Sequence, residues 1–220
     1  MLRLCAVGME NVIYTVGHSN QDVASFVERL NQHGITAIAD VRSAPYSQFC
    51  PQFNREPLAM ALSEVGIAYV DLGREFGARR IEPECYVDGR VHFLIAASTS
   101  GFRQGILRVL RGLQDYRIAL MCAEKEPLGC HRMALVGRAL SGGFQQIGPP
   151  DSEPLVSESG PLPIEVRHIL DDGTCETHAA TESRLLQEYG FPERDLFRTR
   201  SELLADAYER HEEKTSYRTS

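Results

Sequence analysis

Short apolar runs alternate along the chain with stretches in which apolar residues recur every three or four positions. The runs have the length of buried strands and lie at residues 12–16, 35–41, 67–72, 117–121 and 165–170. The stretches between them have the period of amphipathic helices. Strands and helices that alternate in this order form a mostly parallel sheet with helices on both faces. We therefore predict an α/β fold, built as a single three-layer domain that spans residues 1–220.

Local signals add detail to this fold. Ser19 and Asp22 have the S-x-x-D spacing of a capping box, which predicts that Ser19 begins the first helix. Asp88-Gly89 separates two short β-rich segments and predicts a small hairpin outside the main sheet. In residues 142–163, twelve of 22 positions are Gly, Pro or Ser. We expect this segment to be a mobile surface loop inside the domain rather than a linker between domains.

The charge pattern limits the classes of partner. The net charge is −7, and residues 171–220 hold 12 acidic and 7 basic side chains, so the acidity lies mainly in the C-terminal part. This balance argues against strong non-specific binding of nucleic acid, although a local group of arginines remains able to hold a phosphate. We expect a small anionic ligand instead.

Cysteine usage and hydropathy point to the cytoplasm. No segment has membrane-spanning length, and residues 1–10 lack the apolar core of an export signal. The six cysteines do not have the close, even spacing of a disulfide framework, so we interpret them as reduced thiols. We expect a cytoplasmic protein with no membrane partner. The sequence gives no indication of its oligomeric state.

Polar residues follow the predicted strands at their carboxyl ends. Open parallel sheets bind ligands beyond this edge. The residues are His18 and Ser19 after the first strand, Asp40 and Arg42 after the second, Arg74, Arg79 and Arg80 after the third, and Cys122 and Glu124 after the fourth. We therefore predict a polar site there.

The segment from Cys122 to Arg132 is the most informative part of this edge. It joins Cys122 and Glu124 at the end of a strand to Cys130, His131 and Arg132 at the start of a predicted helix. The free N–H groups of a helix N-terminus stabilise a thiolate, and nearby basic side chains add to that effect. Cys130 or Cys122 is therefore a candidate nucleophile, with Glu124 or His131 transferring protons.

Two other interpretations of this segment stay open. Free cysteines often fill tight corners of a core, in which case Cys122 and Cys130 are packing residues. Alternatively, Cys122, Cys130 and His131 form a metal site, because thiolate and imidazole suit zinc or iron. The lack of C-x-x-C spacing makes the metal site the weaker alternative, so we assign no metal ligand and identify no cofactor. The phosphatase loop C-x5-R, the Walker A loop and H-x-E with P-C-x-x-C are absent from the sequence.

Structural roles compete with functional ones at other positions. His18 is equally well explained as a turn contact beside Ser19 or as a ligand-binding residue. Asp40 and Arg42 have the character of an ion pair, which needs no catalysis to explain it. The remaining basic residues are interpreted as a solvated loop (Arg74, Arg79, Arg80) or as structural and surface histidines (His33, His92, His168, His178).

These motifs together resemble the domain-of-unknown-function 488 family, whose activity is not established. The resemblance spans nearly the whole chain, and its most specific part is Cys122-Ala-Glu124 with Cys130-His131-Arg132. This sequence departs from the family pattern in the Gly/Pro-rich insertion before Glu165. Further motifs are Thr15-Val-Gly-His18-Ser19, Asp40-Val-Arg42-Ser43, Tyr86-Val-Asp-Gly89, His168-Ile-Leu with Asp172-Gly173, and Leu203-Leu-Ala-Asp-Ala-Tyr208.

Two functional hypotheses follow. The first is a thiol-dependent enzyme that acts on a small anionic or nucleotide-like substrate, with His18, Ser19, Asp40, Arg42 and Arg132 lining the substrate. The second is a non-catalytic module that binds a nucleotide or nucleic-acid phosphate through Arg42, Arg74, Arg79, Arg80 and Arg132.

Overall fold

The computed structural model describes residues 11–144 and 164–219. Its strands are, in chain order, β1 (Val12–Gly17), β2 (Ala37–Asp40), β3 (Ala68–Asp71), β4 (Tyr86–Val87), β5 (Arg90–Val91), β6 (Ile118–Cys122), β7 (Glu165–Ile169) and β8 (Cys175–Thr177). Six of them form one sheet in the order β3-β2-β6-β1-β7-β8. Only β8 is antiparallel to its neighbour in this sheet. The predicted α/β fold with a mostly parallel sheet is confirmed.

Helices cover both faces of the sheet, as predicted. One face packs against α1 (Val23–Gln32) and α2 (Arg55–Glu64). The opposite face packs against a longer series, namely α3 (Gly73–Phe76), α4 (Phe93–Ser98), α5 (Ser100–Gly112), a π-helical turn (Arg132–Gly137) continued by α6 (Arg138–Leu140), α7 (His178–Glu188) and α8 (Arg200–Thr215). The structure therefore has three layers. The sequence did not predict α3 or α4.

Alternation along β1 explains how one strand serves two cores. Tyr14 and Val16 are buried with α1 and α2, whereas Ile13 belongs to the core on the opposite face. Leu30 of α1 and Leu62 of α2 have no exposed surface. Burial of an aliphatic side chain of this size is worth about 1.5–3 kcal/mol relative to leaving it in water.

The start of α1 differs from the prediction. Asp22, not Ser19, is the N-cap, because its carboxylate accepts the backbone N–H of Ser25 at 2.8 Å. Ser19 instead has φ +50° and donates its backbone N–H to Ala123 O at 2.9 Å. The predicted capping box was therefore wrong: the polypeptide turns at Ser19 to meet the neighbouring loop before the helix begins.

The predicted hairpin is confirmed. β4 and β5 pair antiparallel, and Asp88 and Gly89 between them have φ +50° and +71°. Positive φ at both central residues is the geometry of a type I′ turn, for which Asp-Gly is well suited.

The predicted mobile loop falls mainly on residues 145–163, which lie outside the described residues, so it stays a prediction. Within the described ranges, every helix is too short or too polar to cross a bilayer.

Candidate functional site

Backbone hydrogen bonds bring three strand ends together at the carboxyl edge of the sheet. His18 donates its backbone N–H to Cys122 O at 2.9 Å, which joins the end of β1 to the end of β6. Val41 donates to Met121 O at 3.0 Å, which joins β2 to β6. The predicted convergence of polar residues at this edge therefore has a backbone cause.

The loop after β6 is held from two sides. A Cβ at Gly17 would lie 1.9 Å from Glu124 O, so only glycine permits the end of β1 to approach this closely. From the other side, the buried guanidinium of Arg132 donates to Glu124 O at 2.5 Å and to Lys125 O at 3.0 Å. Arg132 was predicted to bind an anion; the two contacts show that its guanidinium fixes the loop that carries Glu124.

Cys122, Cys130 and His131 form the centre of the site. The two sulfur atoms and one ring nitrogen of His131 all lie within 4.8 Å of one another. Each Sγ is 3.8 Å from His131 Nδ1. The three residues are only 5%, 1% and 8% exposed, respectively. The two cysteines thus lie side by side although they belong to different elements.

The other ring nitrogen of His131 fixes the orientation of the imidazole. His131 Nε2 lies 3.1 Å from Val41 O, and a carbonyl can only accept, so Nε2 carries a proton. In the neutral ring, Nδ1 then directs its lone pair at both sulfur atoms. No sequence signal points to this role of Val41, because the group involved is a backbone carbonyl.

Mutual interactions shift the pKa values of these three groups. Burial alone would raise the pKa of Cys130, but the Cys122 thiol, Arg132 and His131 together hold it well below its ordinary value. The hydrogen bond to Cys130, together with burial, keeps the pKa of Cys122 well above its ordinary value. Burial lowers the pKa of His131, yet the Cys130 sulfur and the Val41 carbonyl outweigh it and raise the pKa. Negative charge is therefore concentrated on the Cys130 sulfur.

Glu124 lies at the exposed rim of this centre. Partial burial and the charge of Cys130 raise the pKa of Glu124. A carboxyl group with a raised pKa is better matched to proton transfer near neutral pH than an ordinary one.

Asp40, Arg42 and His18 form a second, fully paired cluster. Arg42 donates to Asp40 from Nε and from NH2, the latter at 2.6 Å, and NH2 also reaches Phe53 O at 2.9 Å. Arg42 NH1 lies 3.0 Å from His18 Nε2, and His18 Nδ1 lies 2.7 Å from Ser19 O. Burial lowers the pKa of His18 to about 4, so its neutral Nε2 accepts from Arg42. These contacts agree with the ion-pair interpretation of Asp40 and Arg42.

The arginines after β3 are divided between surface and core. Arg74 and Arg79 are exposed. Arg80 is only 5% exposed; it pairs with Glu82 at 2.9 Å and donates to Glu75 O at 2.7 Å. The interpretation of Arg80 as a solvated loop residue was therefore wrong, because a neighbouring carboxylate and a backbone carbonyl let its charge be buried.

The sequence analysis did not predict a buried series of hydrogen bonds that begins at Thr15 of β1. Thr15 Oγ1 lies 2.8 Å from His168 Nδ1, and His168 Nε2 lies 3.1 Å from His178 Nδ1. His178 Nε2 then lies 3.2 Å from Tyr208 Oη, which donates to Glu182 at 3.0 Å. Burial lowers the pKa of His178 to about 4 and that of His168 well below its ordinary value, so both rings are neutral. This series of hydrogen bonds links β1, β7, α7 and α8.

The fold and the site together define an α/β protein with a buried centre of two cysteines and one histidine at the carboxyl edge of its sheet. Residues 22–139 match the model of a family described as "Domain of unknown function DUF488", and the chain belongs to that family. The match includes Cys122 to Arg132 but not His18 or the C-terminal motifs. No curated protein and no solved structure matches the chain.

Proposed function

We propose that Cys122, Cys130 and His131 bind one transition-metal ion, with Zn²⁺ the best match, and that the protein is a metal-dependent enzyme acting on a small anionic or nucleotide-like substrate. The observation that carries this proposal is the separation of 3.8 Å between His131 Nδ1 and each sulfur. Zn–S bonds of about 2.3 Å and Zn–N bonds of about 2.0 Å in tetrahedral geometry place sulfur and nitrogen about 3.6 Å apart. One ion therefore fits between these atoms with little movement.

The hydrogen bond from His131 to Val41 supports the same proposal. Histidines that bind metals donate their second ring N–H to a carbonyl or carboxylate, which fixes the tautomer and orients the ring. Val41 O accepts from His131 Nε2 at 3.1 Å, and Nδ1 is left facing Cys122 and Cys130. The strand end thus prepares the ring to act as a ligand.

Burial favours a metal over direct attack by a thiolate. A sulfur nucleophile has to contact the substrate atom that it attacks, and at 1% exposure Cys130 is closed to a substrate of nucleotide size. A metal ion requires no such access for the ligand atoms themselves. Three protein ligands also leave one coordination position for a substrate or water, as in catalytic zinc sites.

The remaining residues supply proton transfer and charge. A bound Zn²⁺ would polarise a substrate or water oxygen. Glu124, exposed at the rim two residues after Cys122, would accept and return the proton. Arg132 adds a buried positive charge beside the two cysteines, while the charge of Arg42 is balanced by Asp40. Thiolate ligands persist best where thiols stay reduced, and a cytoplasmic location is therefore part of the proposal.

The metal content of protein purified without chelator tests this proposal. We expect about one Zn²⁺ per chain by inductively coupled plasma mass spectrometry, and loss of the metal in Cys122→Ser and Cys130→Ser. Cys175→Ser is the matched control, because Cys175 is an exposed cysteine on β8. A wild-type protein that stays metal-free after incubation with Zn²⁺ contradicts the proposal.

A second candidate, a thiol-dependent enzyme, is favoured by the surroundings of Cys130. The backbone N–H of Arg132 donates to Cys130 Sγ at 3.4 Å, and the pKa of Cys130 is held well below its ordinary value. Alkylation at each cysteine, followed by peptide mass spectrometry, distinguishes the two candidates. Fast reaction of Cys130 without chelator, well below pH about 8.5, favours the thiol enzyme. Reaction that requires a chelator favours the metal centre.

A further inference from the structure

The sulfur atoms of Cys122 and Cys130 have a second property that metal binding does not use. They lie within 4.8 Å of each other although the residues belong to different elements. Cys122 ends β6, and Cys130 precedes the π-helical turn. The described cysteines outside this pair are Cys50, Cys85 and Cys175, none of which belongs to this cluster.

We propose that Cys122 and Cys130 are a reversible modification site, at which a hydroperoxide converts the two thiols into an intramolecular disulfide. A disulfide has an S–S bond of about 2.05 Å, so the two sulfur atoms have to approach each other by less than about 3 Å. The segment between them, residues 123–129, contains no helix or strand. Ser19, Gly17 and Arg132 hold residues 123–125, so the adjustment falls on residues 126–129 and on the Cys130 side chain.

The surroundings indicate which sulfur reacts first. Cys130 Sγ accepts the Arg132 backbone N–H at 3.4 Å and faces His131 Nδ1 at 3.8 Å. The Arg132 N–H stabilises negative charge on that sulfur, whereas His131 Nδ1 is equally close to Cys122 Sγ, also at 3.8 Å. Exposures of 5% for Cys122 and 1% for Cys130 restrict the oxidant to a small molecule. Hydrogen peroxide has that size.

The reaction balances in two steps. The Cys130 thiolate attacks one peroxide oxygen, so that an S–O bond forms, the O–O bond breaks and hydroxide leaves with a proton as water. The Cys122 sulfur then attacks the sulfur of the Cys130 sulfenic acid, which forms the S–S bond and releases a second water. The two thiols together lose two electrons and two protons, and one peroxide is reduced to two waters. A small-molecule thiol reverses the change by exchange.

Oxidation has a consequence for the metal centre, and this part of the inference rests on the proposed function. The disulfide removes both thiolate ligands and leaves His131 as the one remaining ligand of the three. A metal held by a single imidazole dissociates. The centre would thus report hydroperoxide by releasing its ion and would recover it after reduction.

Mass spectrometry of the full chain after treatment with hydrogen peroxide tests the inference. We expect a mass decrease of about 2 Da, the loss of two hydrogens, with Cys122 and Cys130 joined in one crosslinked peptide and full reversal by dithiothreitol. A chromogenic chelator in the same sample measures released Zn²⁺. Cys175→Ser should behave like the wild type, and Cys122→Ser should give stable oxygen adducts on Cys130 instead of the crosslink.

The outcomes separate this inference from the proposed function. A crosslink in protein that never contained metal supports the disulfide and removes the metal centre. Three results with metal-containing protein overturn the inference. Peroxide leaves the protein unchanged, it crosslinks other cysteines, or it oxidises Cys130 to sulfinic acid without a crosslink. Peptide mapping of the wild type decides between these outcomes, so the test does not depend on the folding of any variant.

Discussion

Two buried polar clusters on the same face of the sheet use histidine in opposite ways. In the chain from Thr15 to Glu182, each nitrogen of His168 and His178 has a partner of matching character, and protons can be assigned in one direction along it. At the other cluster, two cysteine sulfur atoms converge on His131 Nδ1, each at 3.8 Å, and the Cys130 sulfur carries negative charge. A satisfied chain holds elements together, whereas converging sulfur and nitrogen atoms that share a negative charge are completed by a cation or a proton. Burial alone does not distinguish them.

The largest expected effect is loss of metal binding in His131→Ala. Removing one of three ligands should weaken Zn²⁺ affinity by more than about 100-fold, which exceeds the range for residues that only orient ligands. Competition with a chromogenic chelator measures the change. The thermal stability of the metal-free protein should change much less than the affinity. If the free energy of unfolding of the metal-free protein falls by as much as the free energy of zinc binding, His131 is a structural residue like His178.

His178→Ala should reduce stability and leave zinc binding unchanged, the opposite of His131→Ala. It leaves His168 Nε2 and the Tyr208 hydroxyl without their present partner and opens a cavity between α7 and α8. We expect the free energy of unfolding to fall by about 2–4 kcal/mol. Urea titration measures it, and zinc stoichiometry should stay at the wild-type value. Loss of zinc in a variant that remains folded would contradict the separation of the two clusters.

Protonation of His178 at acid pH should lower the free energy of unfolding. The pKa of His178 is about 4 in the folded protein and about 6.5 when unfolded. The unfolded chain therefore binds more protons between these values, and stability falls as the pH drops from 6.5 toward 4. The metal-free wild type should lose about 2 kcal/mol more than His178→Phe between pH 7 and pH 5. Equal pH slopes for the two proteins in urea titrations would remove His178 as the cause.

Thr15→Val should give the smallest loss of stability, and it tests the hydrogen bond from Thr15 to His168. Valine keeps the shape of threonine but removes the hydroxyl that lies 2.8 Å from His168 Nδ1. We expect a loss of about 1 kcal/mol, with unchanged zinc stoichiometry. Thr36→Val is a comparison outside both clusters, at an exposed threonine whose hydroxyl accepts the Arg117 N–H at 2.9 Å. A change in zinc content for Thr15→Val would mean that the two clusters are coupled.

Periodicity was enough to predict the sheet, because a buried parallel strand requires a continuous apolar run. The predicted runs at 12–16 and 117–121 lie within one residue of β1 and β6, which are buried throughout. The cap of α1 was mistaken because Ser19 and Asp22 have similar sequence signals, and a tertiary contact, Ser19 N–H to Ala123 O, decided between them. A single sequence carries no information about that contact.

The candidate site could be located from the sequence but its internal geometry could not. Cys122, Cys130 and His131 were named because they follow a strand and precede a helix. Their mutual approach depends on how residues 123–129 fold back, which spacing does not specify. The Val41 carbonyl has no side-chain signal at all. His178 and Tyr208 were beyond prediction for a similar reason, since they meet only after α7 and α8 pack.

Because the turn at Arg132–Gly137 is π-helical, the direction in which the preceding site residues point depends on the number of residues in that turn. A π turn holds one more residue than an α-helical turn over the same rise. Deleting a single residue there would let the turn relax to an α-helix and rotate the preceding side chains by about 100° around the helix axis relative to those that follow. Members of the family that lack this extra residue should therefore present Cys130 and His131 in a different direction, even where every ligand is retained.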